Sequence, residues 1–538
     1  MPASKAPSSL KDLSFDNRYT HELPADPIDE NYTRQVTDIC YSWVTPKITP
    51  NPSLVSYSQD AANLLNLSEQ TCGSADFLQT FSGNHVLDDM QPYATRYGGH
   101  QFGNWAGQLG DGRAINLGEI INQQGKRWAI QLKGSGPTPY SRRADGLAVL
   151  RSSVREFLCS EAMHYLGVPT TRALSLMTTG EKVTRDMFYD GNPKAELGAV
   201  VCRLAPSFTR FGHFQIHASR GETELLKQLV DLTITNDFPH LGQPSPETYI
   251  AWFQEICDTT AKMVVQWMRV GFVHGVMNTD NMSILGLTID YGPYGWLEDF
   301  DPGWTPNTTD AQGKRYCFGN QPEIAQWNLA QLGNALLPII DNLEAVQQAY
   351  NSYQSSFQNR WRNMMTKKLG LTSLDPQTDP ELFDQLLALL AEVETDMTIF
   401  FRNLAKLDLN TTKPLTEQND IPSELTGAYY QPRQLTQPYK TTLFEWLNAY
   451  QKRVQKDSTS QQQRRTIMDA VNPKYVLRNY LAQLAIDKAE QGDNSMVNEL
   501  LELLSKPYDE QPSKEQYAEK RPEWARTKAG CSMLSCSS

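Results

Sequence analysis

The sequence predicts an α+β chain in two lobes, a mixed α/β small lobe and a mainly helical large one, with extensions at both ends. Three observations predict it. Strand-like runs fall at 114–120, 127–133, 172–177 and 198–204, short and apolar-patterned as strands are. A single helical stretch, 150–166, interrupts them. From residue 222 onward helical spacing takes over, led by Tyr249, Trp252, Phe253, Ile256, Met263, Val264, Trp267 and Met268 at intervals of three, four and seven.

In chain order, residues 1–90 are rich in Pro, Ser, Asn and Asp and predict an N-terminal extension that wraps the core. The small lobe spans 91–215 and the large lobe 216–410. The long amphipathic helix of the large lobe stops at Gly271, a natural C-terminal cap, and delivers the chain into Phe272-Val273-His274. Stretches 324–353, 380–404 and 443–504 are again helical, with 411–438, bearing Pro and Thr, as a long loop. A helical C-terminal extension covers 411–505. Residues 506–538 are charged and poor in apolar groups, which predicts a flexible tail ending in Cys-Ser-Ser.

The motifs point to nucleotide chemistry. WAIQLK (128–133) is a strand ending on Lys133, and Glu156 lies in the helix that follows. A Lys on a strand is an ordinary surface residue when it stands alone. In this order with Glu156 it matches the ion pair that fixes a phosphate-binding Lys in protein kinases. HGVMNTDN (274–281) and DYG (290–292) then supply oxygen ligands of the kind Mg²⁺ prefers, Asn281 and Asp290. The kinase loop H-R-D-x-x-x-x-N carries its catalytic base two residues after the His. Here that place is Val276, while a carboxylate, Asp280, stands beside the metal-binding Asn. The arrangement is protein-kinase-like in all but its base.

The remaining candidates are weaker taken singly. Gly110, Gly112 and Arg113 form a turn before a strand, fit for phosphate contact through main-chain amides or for a tight turn alone. The loop GSGPTPYSRR (134–143) continues to Asp145 and Gly146 and covers either a nucleotide or plain surface. Arg203 ends an apolar strand and Arg210 follows; each needs an anion, a triphosphate or a carboxylate. No H-E-x-x-H, G-x-S-x-G or paired C-x-x-C occurs, so zinc and serine hydrolysis have no support.

The runs RYGGHQFGNWAGQLGDGRA, QLKGSGPTPYSR, RLAPSFTRFGHF, HGVMNTDN and DYGPYGWL resemble the selenoprotein O family of protein adenylyltransferases, once classed as pseudokinases. The resemblance is strong over about 90–345 and extends to the C-terminal end. It implies a kinase-like fold that binds ATP flipped, so that AMP moves to a protein hydroxyl. It also implies ATP-binding roles for Gly110, Gly112, Arg113, Lys133, Asp145, Gly146, Arg203, Arg210 and Asp290. Glu156 matches the ion-pair partner of Lys133, Asp280 the proton acceptor, and Asn281 and Asp290 the Mg²⁺ ligands. Some relatives carry selenocysteine near the C-terminus, where this chain has Cys536; a redox role there, with Cys531 or Cys317 as partner, is set against an inert thiol.

Composition bounds the partners. Against 61 acidic residues stand 49 basic ones, a net charge of −12 that disfavours nucleic acid and anionic membranes. Cys40, Cys72, Cys159, Cys202, Cys257 and Cys317 are scattered singly and predict reduced core thiols, whereas Cys531 and Cys536 fall in the exposed-looking tail. No apolar run reaches membrane-spanning length. The acidic N-terminus (Asp12, Asp16, Glu22, Asp26) opposes a transit peptide, so the expected place is the cytoplasm. The expected activity is AMP transfer from ATP to Ser, Thr or Tyr hydroxyls with Mg²⁺, where Mn²⁺ as metal or UTP as donor is an alternative. An ordinary phosphotransferase and a non-catalytic ATP-binding scaffold are the competing readings.

Overall fold

The computed structural model describes residues 9–409, 421–457, 459–531 and 533–535. Its strands are β1 Tyr41–Trp43, β2 Ser53–Tyr57, β3 Tyr93–Thr95, β4 Gly98–Gln101, β5 Asn104–Gln108, β6 Ala114–Ile121, β7 Arg127–Lys133, β8 Ala148–Val149, β9 Arg172–Arg185, β10 Lys194–Ala205, β11 Phe272–Val273 and β12 Gly295–Trp296. Eight of these make one antiparallel sheet in the order β1-β3-β6-β7-β10-β9-β2, with β8 attached to β10. β4–β5 and β11–β12 are separate two-stranded pairs. The expected strands are present, and β9 and β10 run further, as a long hairpin.

Alternation along β7 and β10 sorts the sheet's two faces. Ile130, Leu132, Val200, Cys202 and Leu204 point into a cluster with Leu10, Ala61, Phe77 and Phe81 of the N-terminal segment. Ala199 and Val201 face the other way, onto Val154, Phe157 and Leu158 of the helix Leu150–Tyr165. Lys133 and Arg203 fall on that same helix-facing side, because β7 and β10 pair with Arg203 opposite Gln131 and Val201 opposite Lys133. The N-terminal segment does more than wrap: β1 and β2 are the sheet's two edges, and its short helices close one face.

The long helix Pro246–Val270 begins at Ser245, whose side chain accepts from the Thr248 amide, with Pro246 in the first turn. It ends at Gly271, in the left-handed region at φ 74°. The apolar stripe read from the sequence is buried along its whole length. The helices Gln321–Ile340 and Leu343–Lys368 pack beside it. No helix among the described residues is long and apolar enough to cross a membrane.

The C-terminal helices are tied to this body by a buried ion network. Arg478 reaches Glu298 at 3.0 Å and Asp396 at 2.8 Å, with all three side chains almost fully enclosed. Removing one partner strands buried charge, so Arg478→Ala is expected to cost about 3–5 kcal/mol, read as a lowered urea midpoint. An unchanged midpoint would contradict it.

Two expectations about the tail are corrected. The stretch from 506, read as flexible from its charge, packs at several points: the Tyr508 hydroxyl donates to the Leu166 carbonyl at 2.8 Å, and Leu534 pairs with Asn307. Cys531, read as exposed, is 1% exposed, and burial pushes its thiol up to about 11. Local composition could not show these contacts, which are made to residues hundreds of positions away. Cys536 lies outside the described residues.

Candidate active site

The strand-end and loop residues selected from the sequence converge on one cavity of about 620 Å³. Gly110, Gly112, Arg113, Lys133, Asp145, Gly146, Arg203, Arg210, Asp280, Asn281 and Asp290 all line it, as does Val276. Glu156 stands behind Lys133, with Nζ to Oε2 at 2.6 Å.

Asp290 is the electrostatic centre. Arg203 Nη1 lies at 2.7 Å and Lys133 Nζ at 3.7 Å from its Oδ1, and Arg210 Nη1 donates to Oδ2. Burial alone would raise this carboxyl, but the two guanidiniums and the ammonium outweigh it and hold it far below the usual carboxylate range. Burial in turn pulls Lys133 below the ordinary lysine value, against the pull of Glu156. Arg203 also reaches Glu156 at 3.0 Å and donates to Gln131, and it is 1% exposed. Its guanidinium is therefore committed to carboxylates as the cavity stands. Arg210 lies over the Tyr97 ring at 4.9 Å and 3.6 Å from Asp111.

The loop after β11 is held by His274, whose ring bonds the Ile289 carbonyl at 2.9 Å, next to Asp290. Asn281 Nδ2 donates to the Val276 carbonyl at 2.9 Å, leaving its Oδ1 without a hydrogen-bond partner among the described residues. Val276, at the position of a kinase base, thus contributes a main-chain oxygen that orients the amide.

Asp280 differs from Asp290 in kind. Its Oδ2 accepts from Gln101 Nε2 at 3.1 Å, and its Oδ1 is buried with no partner. Burial pushes its pKa up to about 6, helped by the charge of Asp290 and opposed by Gln101 and Arg210. The hairpin β4–β5 supplies that burial: a Cβ on Gly99 would meet Asp280 Oδ1 at 2.5 Å, so only glycine lets the strand lie this close. A carboxyl with this pKa is ionised, and able to accept a proton, above about pH 6. The expected kcat/KM therefore falls as pH drops through about 6, with loss in the protonated form. A profile flat between pH 5 and 7.5 would contradict Asp280 as the base.

Some residues were not found from the sequence. Arg185, at the end of β9, grips Asp145 through two hydrogen bonds of 2.8 and 2.7 Å and donates to the Leu147 carbonyl at 2.9 Å. Burial would raise Asp145, but these bonds hold it below its ordinary value. The loop from Gly134 to Leu147 is thereby anchored to the β9–β10 hairpin. Gln101 and Arg185 carry no local motif; a contact forty or more residues away places each. Gly110 and Gly112 both face Tyr140, so close packing of two loops accounts for their lack of side chains.

Among the described residues no group of three or more His, Cys, Asp or Glu is placed to hold a metal ion. Asn281 and Asp290 both line the cavity and carry oxygens of the kind a hard cation takes, those of Asp290 being engaged by Arg203, Lys133 and Arg210.

Comparison with known proteins gives the family of the chain. The model of the family described as "Protein adenylyltransferase SelO" matches residues 29–505. A relative from Rhodopirellula baltica named protein nucleotidyltransferase YdiU is 59% identical over 537 residues, covering 98% of this chain and 99% of its own. Proteins of the same name from an Azoarcus species and Nitrosospira multiformis are 56% and 53% identical over 529 and 557 residues. The first alignment covers 98% of this chain and 100% of the relative, the second 100% and 98%. On the family match and these full-length identities, the chain belongs to the protein adenylyltransferase SelO family.

Proposed function

We propose that the protein transfers AMP from ATP to Ser, Thr or Tyr hydroxyls of other proteins, with ATP turned so that its α-phosphorus faces Asp280 and Asn281. The observation that carries this is Asp280: a carboxylate of raised pKa with one free buried oxygen, beside Asn281, where the kinase base position is Val276. The substrate hydroxyl gives its proton to Asp280 Oδ1 as its oxygen attacks the α-phosphorus. The bond to the bridging oxygen breaks, and pyrophosphate leaves.

Lys133 and Arg210 supply positive charge for the distal phosphates, with Arg203 and Glu156 holding Lys133 and Asp290 in place. Lys133 and Arg210, now gathered on Asp290, would turn to phosphate oxygens when the nucleotide enters, which frees that carboxylate for a metal while Arg203 keeps it in place. Asn281 Oδ1 and Asp290 would hold a Mg²⁺, or Mn²⁺ in its place, which supplies neutralisation of phosphate charge. Gly110, Gly112 and Arg113 on one side and Asp145 and Gly146 on the other would close over the rest of the nucleotide.

The same reading takes 91–215 and 216–410 as kinase-like small and large lobes between an N-terminal extension (1–90) and a C-terminal one (411–505). The strand Lys paired to a helix Glu at 2.6 Å supports it. A redox role for Cys536 and a cytoplasmic location remain part of the proposal and rest on the family likeness and composition.

Incubation of the protein and a protein substrate with α-³²P-ATP and, separately, γ-³²P-ATP tests the reaction. Label from the α position alone is expected. Label from the γ position alone would establish a phosphotransferase.

A further inference from the structure

A protein substrate must bring its hydroxyl to Asp280 Oδ1, so whatever surrounds that oxygen meets the neighbouring residues of the substrate. The main neighbour is the hairpin β4–β5, which belongs to no larger sheet and lies on the catalytic loop. The His100 amide donates to Thr279 Oγ1 at 2.7 Å, Gln101 to Asp280, and the Phe102 amide to Asn278 Oδ1 at 3.2 Å. Phe102 is also bound to Tyr316, whose hydroxyl donates to Asn278 at 2.6 Å. The inner side of the hairpin thus seats the base.

Its outer side is built differently. Asn104, Trp105 and Ala106 are exposed, Trp105 at 39%, unusual for so large an apolar side chain. Trp105 lies 5.0 Å from the His100 ring, which meets Trp327 edge-on at 5.5 Å. The Arg315 guanidinium lies over Trp327 at 4.7 Å and against the hairpin turn, 3.5 Å from where a Cβ on Gly103 would be.

Arg315 makes no ion pair among the described residues, and its Nε is buried without a hydrogen-bond partner. Asp310, an acidic group in its field, spends its two oxygens on the main-chain amides of Arg315 and Tyr316 at 3.0 and 2.7 Å. A half-buried guanidinium stacked on indole and lacking a carboxylate is set up to receive one. This stands out in a chain of net charge −12, whose overall field repels acidic partners.

We propose that the outer face of the β4–β5 hairpin, with Trp327 and Arg315, is the docking surface for the protein substrate, and that it selects an acidic side chain near the acceptor hydroxyl. The spacing follows from the hairpin. Gln101 touches Asp280, and Gly103, against Arg315, is two residues further along. The short turn between these two contacts keeps the selected carboxylate within about three residues of the acceptor, at about 3.3 Å per extended residue. This inference rests on the transferase reading above.

The test is an oriented peptide library with a fixed Ser, Thr or Tyr, reacted with α-³²P-ATP and Mg²⁺ by the full-length protein. Asp or Glu two to three residues from the acceptor should raise labelling about fivefold, the scale of one well-placed ion pair. Arg315→Ala should abolish that preference, and Arg315→Glu should shift it to Lys or Arg, each with the ATP dissociation constant unchanged. Label without acidic enrichment, or an enrichment kept by both variants, would overturn the docking surface and leave the transferase reading standing. No α-label in any library member, with ATP still bound, would overturn both.

Discussion

Asp280→Asn is expected to lower kcat by about 10²–10⁴-fold, the usual worth of a positioned general base, with ATP affinity held near that of the wild type. The Asn keeps an oxygen for Gln101 Nε2, so the hairpin stays seated on the loop. What disappears is the carboxylate oxygen proposed to take the hydroxyl proton. The acid limb of the pH profile near 6 should disappear with it. Stability should move the opposite way. The Asp280 carboxyl has a raised folded-state pKa, about 6 against an ordinary 3.8, so the folded protein disfavours its ionised form. That cost is absent below about pH 4, grows between about pH 4 and 6, and is fully present above. At pH 8 the Asn variant is therefore expected to melt higher than the wild type. A variant that melts higher and turns over at the wild-type rate would show that the carboxylate has no part in proton transfer.

Asp290→Ala is expected to remove at least about 10²–10³-fold of activity, and it differs from the Asp280 variant in how it fails. It takes away one of the two oxygen donors proposed for Mg²⁺. It also leaves Lys133, Arg203 and Arg210, all buried, with one carboxylate fewer among them. Stranding buried charge costs about 3–5 kcal/mol, so a lowered melting temperature should accompany the loss. Asp290→Asn is the milder variant, because it keeps one accepting oxygen for a guanidinium and fills the same space while weakening the metal site. Activity of the Asn variant should return in part at raised Mg²⁺ or Mn²⁺. Wild-type turnover at ordinary Mg²⁺ in either variant would rule out the metal assignment.

Much of this site was legible in the sequence because its members sit at the ends of strongly patterned elements. Lys133 closes an alternating strand, Glu156 lies on the helix behind it, and Gly271 stops an amphipathic helix just before His274. Fixed order and spacing then single out Asn281 and Asp290, and the absence of a carboxylate at Val276 draws attention to Asp280. The flipped nucleotide came only from likeness to a family. The hairpin β4–β5 was hidden because RYGGHQFGNWAGQ has no alternation; it is held by the catalytic loop below it, not by its own pattern. Arg185 and Gln101 were hidden for the same reason, since each gains its role from a long-range partner. β1 and β2 are short edge strands whose pairing is decided by the sheet they join. The tail shows the limit of composition most plainly: charge and few apolar groups predicted flexibility, yet Leu534 and Cys531 are buried against the body.

The orientation of the nucleotide decides between AMP and phosphate transfer, and it can be seen directly. A crystal of the protein grown with Mg²⁺ and an ATP analogue whose α–β bridge cannot be cleaved should show the α-phosphorus beside Asn281, Asp290 and Asp280, with the terminal phosphates on Lys133 and Arg210. The γ-phosphorus at Asn281 and Asp290, with the α-phosphorus turned away from them, would contradict the account.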